Sequence, residues 1–362
     1  MKSILKSLFF LIALSAVPVF AQSDFEATQA RAEAGDAQAQ YDLGVMYAYG
    51  EGVAKNDQEA VKWYRLAAEQ GDAEAQFYLG LMYSKGEGIP QNNLEAVIWI
   101  RLAAEQGQAG AQFVVGAMYD NGQRLAEDDQ EAVRWFTLAA AQGEAYAQYN
   151  LGRMYKVGEG VEQNYLESVR WFSLSAEQKL DISQFSLGMM YAEGKGVTQN
   201  YEEAIKWYRL AAENGNAEAR FNIGLSYEKG TGVEADNYEA VRWYKLAAEQ
   251  GLAQAQFNLG VMYYSGRGVA QSHQEAAKWY RLAAEQGAVD AQINLALMYR
   301  YGGGISQSNS RAYVWFSMAA ALGGTDAVKE RDSIRAEITP RTIERAQAQA
   351  TRCFESNYQD CD

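Results

Sequence analysis

Histidine occurs once, cysteine twice and proline three times in 362 residues, and each scarcity removes a class of protein. A lone His273 with no cysteine near it leaves no Cys/His metal cluster and no H-E-x-x-H zinc helix. It falls in an interhelix loop, in register with Asp57, and reads as a surface residue. No G-x-S-x-G elbow and no phosphate-binding loop occurs. The glycine pairs G-E-G, G-K-G and G-T-G follow helical rather than strand patterns, which excludes a dinucleotide fingerprint. Three prolines leave few helix breaks and no Pro-rich linker. Basic residues are the scarcer sign, 32 against 46 acidic, for a formal charge of −14. A surface that acidic repels nucleic acid and anionic lipid and favours basic partners.

Long apolar runs are also missing, apart from Leu8 to Val17. With Lys2 and Lys6 before it and Val19-Phe20-Ala21 after it, that run reads as a secretory signal over residues 1–21. It is shorter than the roughly 20 apolar residues a membrane span needs. Gln22, where a lipoprotein would carry Cys, argues against a lipid anchor. The expectation is an exported protein, periplasmic or secreted, without a membrane span. In an oxidising compartment Cys353 and Cys361 can close a small disulfide loop, with free or intermolecular thiols as the alternative.

What the chain does have is a beat. All eight tryptophans, Trp63, Trp99, Trp135, Trp171, Trp207, Trp243, Trp279 and Trp315, stand 36 residues apart. Tyr47, Tyr83, Tyr119, Tyr155, Tyr191, Tyr227, Tyr263 and Tyr299 keep the same interval. A period in this range marks a solenoid whose units bury their apolar faces only by stacking.

Residues 37–71 show the unit. Ala39, Leu43, Met46, Tyr47 and Gly50 line one face of a first helix, and Ala60, Trp63, Tyr64, Ala67, Ala68 and Gly71 one face of a second. Gly50 and Gly52 bracket the turn, and Val53 drops an apolar side chain beneath it. Gly71 ends the second helix and Asp72 caps the next first helix. Gly44 sits mid-helix, where glycine costs about 1 kcal/mol against alanine. It recurs as Gly80, Gly116, Gly152, Gly188, Gly224 and Gly260, with Ala296 last, which predicts close helix approach beneath a large ring such as Trp63. Glu59, Glu95, Glu131, Glu167, Glu203, Glu239 and Glu275 usually have a basic residue three positions on and predict a solvated ion-pair face.

The strings A-x-x-x-L-G-x-x-Y-x-x-G-x-G-V and E-A-V-x-W-Y-x-x-A-A-E-Q-G resemble the SEL-one-like repeat, a branch of the tetratricopeptide-like helical repeats. They recur as AQYNLGRMYKVGEGV with ESVRWFSLSAEQ and as AQFNLGVMYYSGRGV with EAAKWYRLAAEQG. The resemblance implies an all-α, right-handed α-solenoid: a capping half-repeat at 22–35, eight repeats over 36–323, and capping helices with a tail at 324–362. Arg124 replaces the second turn glycine of the third repeat and predicts a different turn there. Lys179 replaces the terminating glycine of the fourth and marks a kink or weak joint. Phe25 to Gly35 matches a second helix alone. Thr339-Pro340 opens a last helix with Ile343, Ala346, Ala350 and Phe354 on one side.

Function is expected where the repeats differ. One stripe of the first helices drifts, carrying Asp42, Tyr78, Val114, Asn150, Ser186, Asn222, Asn258 and Asn294 at one position. A second position carries Tyr49, Lys85, Asn121, Val157, Glu193, Lys229, Ser265 and Tyr301, and Arg153 lies between the two in the fourth repeat. The resemblance puts this stripe on the concave side. Asn amides there can clamp an extended peptide, while Leu81, Leu225 and Leu297 take its side chains. The candidate binding set is Tyr78, Lys85, Val114, Asn150, Arg153, Asn222, Lys229, Asn258, Asn294 and Tyr301. The sequence therefore predicts a monomeric, non-catalytic, cofactor-free scaffold that binds a protein or extended peptide. By resemblance it serves envelope assembly, signalling or host interaction. The alternative is peptidoglycan or glycan binding. Cysteine-rich relatives that act on β-lactams carry a cysteine pair per repeat, which this array lacks.

Overall fold

The buried layer is built by alanines. Ala39, Ala60, Ala67 and Ala68 of the first repeat, and their counterparts along the chain, let helix backbones approach closely while aromatic rings fill the space between. A computed structural model describes residues 22–122, 125–356, 358 and 361. Among these residues there are nineteen α-helices and no strand. The fold is an α-solenoid of paired helices. The expected signal at 1–21 and the turn at Arg124 lie outside the described residues.

In the first repeat the helices are Ala37–Tyr49 and Asp57–Glu69, and the pairs that follow keep the pattern to Asn309–Ala321. Asp36 caps the first of these helices by accepting from the Ala39 N–H. Asn56 caps the second by accepting from Gln58 and Glu59. The second-helix cap recurs as Asn92, Asp128, Asn164, Asn200, Asp236, Ser272 and Ser308. These short side chains, in register, are the signal that starts every second helix. Gly50, at φ 75°, ends the first helix, and Gly71, at φ 94°, follows the end of the second.

A buried glutamine ladder ties the pairs together. Gln40 donates to the Ala32 carbonyl at 3.1 Å and accepts from Gln70 at 2.7 Å. The rung repeats at Gln76 with Gln106, Gln112 with Gln142, Gln148 with Gln178, and Gln256 with Gln286. It gives a second donor to carbonyls near the ends of these second helices, such as Ala68, which also accepts from the Gly71 N–H.

By its contacts the chain divides into two compact bodies, up to Ser183 and from Gln184. Within each, a first helix packs on the second helix of its repeat, which packs on the next first helix. Lys179, four residues before the division, adopts φ 65°, the left-handed conformation expected of a residue in the glycine place. In the first body, helix Gln22–Glu33 covers the first repeat, with Ala32 buried and Phe25 edge-on to Tyr47 at 5.8 Å. In the second body, helices Thr325–Glu337 and Pro340–Glu355 pack on the last repeat. Thr339 caps the latter, with Pro340 in its first turn. Cys353 and Cys361 are disulfide-bonded with Cα atoms 4.4 Å apart and join the same core as Ala346 and Ala350. Phe354, expected on that inner side, is exposed, and Cys353 takes the buried place.

The ring above the mid-helix glycine also differs from expectation. A methyl on Gly44 would stand 2.6 Å from Cδ1 of Tyr64, and the residue after the tryptophan plays this part in the following repeats too. Tyr64, Ile100, Phe136, Phe172, Tyr208, Tyr244, Tyr280 and Phe316 are all buried. Among the tryptophans only Trp63, Trp135 and Trp315 are, and the other five are partly exposed. One residue is a 100° step around the helix, so the tryptophan points elsewhere. Trp63 packs with Leu43, Met46 and the turn residue Val53.

Candidate functional site

The first-helix stripe is set by what lies behind it. Six of the buried second-helix rings, all but Phe316, pack against an aromatic residue of their own first helix. Phe221 lies 5.7 Å from Tyr244, and Phe257 5.8 Å from Tyr280. For two of the buried tyrosines, Tyr244 and Tyr280, the drifting position of the next repeat faces the hydroxyl. In the second body Asn258 lies near the Tyr244 hydroxyl and Asn294 near that of Tyr280, and each favours the charged phenolate. Tyr244 in turn donates to Glu228 at 2.6 Å, and Glu228 pairs with Arg267 at 3.0 Å. Burial, reinforced by Glu228, pushes the Tyr244 phenol well above its usual range. Burial raises Tyr280 to about 12 against the pull of Asn294. Both stay protonated donors at physiological pH.

At four of seven junctions the drifting residue matches the buried one 14 positions earlier, while Tyr64 with Tyr78, Phe136 with Asn150 and Phe172 with Ser186 do not match. Tyr208, Tyr244 and Tyr280 are followed by Asn222, Asn258 and Asn294, while Ile100 is followed by Val114. Pairing a hydroxyl with an amide, and a methyl with a methyl, avoids a buried polar group without a partner.

This geometry corrects several candidates. Val114, 1 % exposed, is core, and so is Asn150, 2 % exposed. Phe136 offers Asn150 no hydroxyl, and its amide turns back to the Tyr146 carbonyl at 2.9 Å. Leu81 is buried as well. Arg153 is spent on Asp120 and Glu159, an ion pair joining the third and fourth repeats. Burial raises the Asp120 carboxyl against the pull of Arg153. His273 is the first residue of helix His273–Ala284 rather than a loop residue, and its ring stacks on Tyr264 at 4.9 Å.

Other candidates lie at the surface. Lys85 and Lys229 are exposed, with Lys85 3.8 Å from Glu87. Tyr301 is 69 % exposed, with the Arg300 guanidinium 5.5 Å from its ring centre. Arg300 also binds Ser333 and Glu337 at 3.0 Å, and Glu330, tying the last repeat to the capping helix. In the second body Asn222, Asn258 and Asn294 are half-buried, with half-buried Leu225, Val261 and Leu297 on the same first helices. In the first body Tyr78 stacks on Tyr64 at 5.6 Å.

The second helices carry the ion-pair face. Glu59 with Lys62, Glu131 with Arg134, Glu167 with Arg170, Glu203 with Lys206, Glu239 with Arg242 and Glu275 with Lys278 lie 2.7 to 3.3 Å apart. Ile98 breaks the series, and Glu95 accepts from the Trp99 indole at 3.1 Å instead. Among the described residues no group of three or more His, Cys, Asp or Glu is placed to hold a metal ion, and no helix is long and apolar enough to cross a membrane.

Eight helix pairs with one repeated cap, ladder and glycine contact define a helical-repeat solenoid. The chain belongs to the Sel1 repeat family, whose repeat matches residues 37–72, 73–108, 109–144, 145–180, 181–216, 217–252, 253–287 and 289–324. It is similar to a protective antigen of uropathogenic Escherichia coli with an SLR fold, at 32 % identity, covering 93 % of this chain and 81 % of that one, with a TM-score of 0.63. It is also similar to a Sel1 repeat protein of Oxalobacter formigenes, at 30 % identity, covering 91 % and 99 %, with a TM-score of 0.67. No curated protein matches the chain. Sel1 repeat proteins are generally scaffolds for protein interaction and are typically non-catalytic.

Proposed function

We propose that this chain is an exported, non-catalytic scaffold that binds a protein or extended peptide on the first-helix faces of its repeats, in the cell envelope or outside it. The observation that carries the reading is the make-up of that face in the second body. Amides of Asn222, Asn258 and Asn294 share half-buried helices with Leu225, Val261 and Leu297, beside exposed Tyr301. Even an amide that gave one N–H to a tyrosine would keep a second N–H and a carbonyl for a partner's backbone. Export is supported by the signal pattern at the N-terminus and by the Cys353–Cys361 disulfide.

The test replaces Asn222, Asn258 and Asn294 by Ala together with Tyr208, Tyr244 and Tyr280 by Phe, so that no buried hydroxyl is orphaned. Partners captured from an envelope extract by the wild type should be lost while the melting temperature holds. An unchanged set of partners on a folded variant rules out this face.

A further inference from the structure

In the second body the Tyr244 hydroxyl donates to Glu228 at 2.6 Å and has the Asn258 amide near it. The same register in the first two repeats puts Tyr78 in the place of Asn258 and Ala48 in that of Glu228, around Tyr64. The Tyr64 side chain is 1 % exposed, and its hydroxyl has no hydrogen-bond partner. A buried polar atom left this way calls for an explanation.

Its surroundings supply one. The rings of Tyr41 and Tyr78 flank Tyr64 at 6.0 and 5.6 Å and lie 5.9 Å from each other. Both are half-buried, and Tyr49, on the same first helix as Tyr41, is 43 % exposed. Two carboxylates act on these hydroxyls, Asp42 on Tyr41, and Glu74 on both Tyr41 and Tyr78. They accept hydrogen bonds from glutamine amides, Asp42 from Gln38 at 2.9 Å and Glu74 from Gln108 at 3.2 Å. Of the nearby cations, Arg31 pairs with Asp36 at 2.6 Å and also acts on Asp42 from a distance, and Lys85 lies 3.8 Å from Glu87. Burial raises both carboxyls, with Asp36 and Asp72 adding to Asp42, and Asp72 to Glu74.

We propose that Tyr41, Tyr64 and Tyr78, with Asp42 and Glu74, seat a cationic side chain of the partner, a lysine ammonium or an arginine guanidinium. The proposal rests on the first-helix face being the binding face and names the chemistry of its occupant. Aromatic faces carry negative potential that attracts a cation, more strongly where water is thinned out. The two carboxylates and the unbonded oxygen of Tyr64 add to it. An apolar side chain would strip water from these groups and return nothing, and an anion would be repelled. The formal charge of −14 steers the same class of partner.

The probe is a fluorescein-labelled, end-blocked peptide of alternating lysine and serine, titrated into the purified protein and read by anisotropy. Replacing its lysines by glutamine should weaken binding at least about tenfold, as should Asp42→Asn with Glu74→Gln in the protein. Exchanging two exposed acids elsewhere, Glu202→Gln with Glu234→Gln, should leave the affinity within about twofold. Tyr64→Phe should weaken binding while melting no lower than the wild type. The proposal is overturned if the lysine peptide does not bind, if the Asp42 and Glu74 pair binds it as the wild type does, or if the Glu202 and Glu234 pair loses as much. Any of these can occur while the Asn and Tyr variant still loses its natural partners, so the wider reading is judged separately.

Discussion

Gln292 is the last rung of the glutamine ladder. It is fully buried and donates to the Ala284 carbonyl at 3.1 Å, but its Oε1 has no partner. Leu322 occupies the place from which Gln286 donates to Gln256 one repeat earlier. Leu322→Gln should complete the rung and add about 1 kcal/mol of stability in urea unfolding, and a loss there would refute the ladder as a stabilising element. A second residue-scale case is Glu144, which caps helix Ala145–Val157 by accepting from Ala147 at 2.6 Å. Burial pushes its carboxyl above the ordinary 4.5, against the pull of the Ala147 and Tyr146 amides. Above its folded-state value the group is charged in the native state at a cost. As pH falls through that value the native state takes the proton first, and the cost is relieved until both states are protonated below 4.5. Gln108 caps the preceding repeat from the same position without a charge. Glu144→Gln should therefore be more stable than the wild type at pH 7, with the gap closing toward pH 4.5, and unfolding curves at both pH values would expose a wrong sign.

At the scale of the element, helix propensity and packing pull opposite ways at the mid-helix glycines. Gly224→Ala gains about 1 kcal/mol of propensity, yet its methyl would stand 2.6 Å from Cδ1 of Tyr244. That ring cannot yield easily, with Phe221 at 5.7 Å and its hydroxyl held by Glu228. Overpacking costs about 1–3 kcal/mol, so packing wins and the variant should melt below the wild type. A higher melting temperature would show that the ring can move aside. The glycine series and its need for a ring overhead were legible in the sequence. The identity of the ring was not, because Trp63 and Tyr64 are adjacent large aromatics and only the helix's rotational setting decides which one faces the glycine.

For the whole molecule, each repeat draws its stability from its neighbours. Phe136 is fully buried in a core that runs from Phe77 to Met154. Phe136→Ala should cost about 3–5 kcal/mol, and hydrogen-exchange protection should fall in the third and fourth repeats before the first. Uniform loss along the first body would mean all-or-none cooperativity instead. The division at Ser183 follows the one junction where a lysine replaces the terminating glycine in the left-handed conformation.

The 36-residue spacing, the helix pairs, the turn glycines and the capping helices were set by the sequence alone. They depend on local periodicity and backbone preference, which a single chain segment expresses without reference to the rest. The stripe was only half legible. Its positions were found, but Val114 and Asn150 were read as surface residues when both are core. What the amides of Asn258 and Asn294 do, and why Tyr64 is left without a partner, depends on side chains meeting across a repeat boundary. Those meetings follow from how one helix settles on the next, which only the packed structure decides.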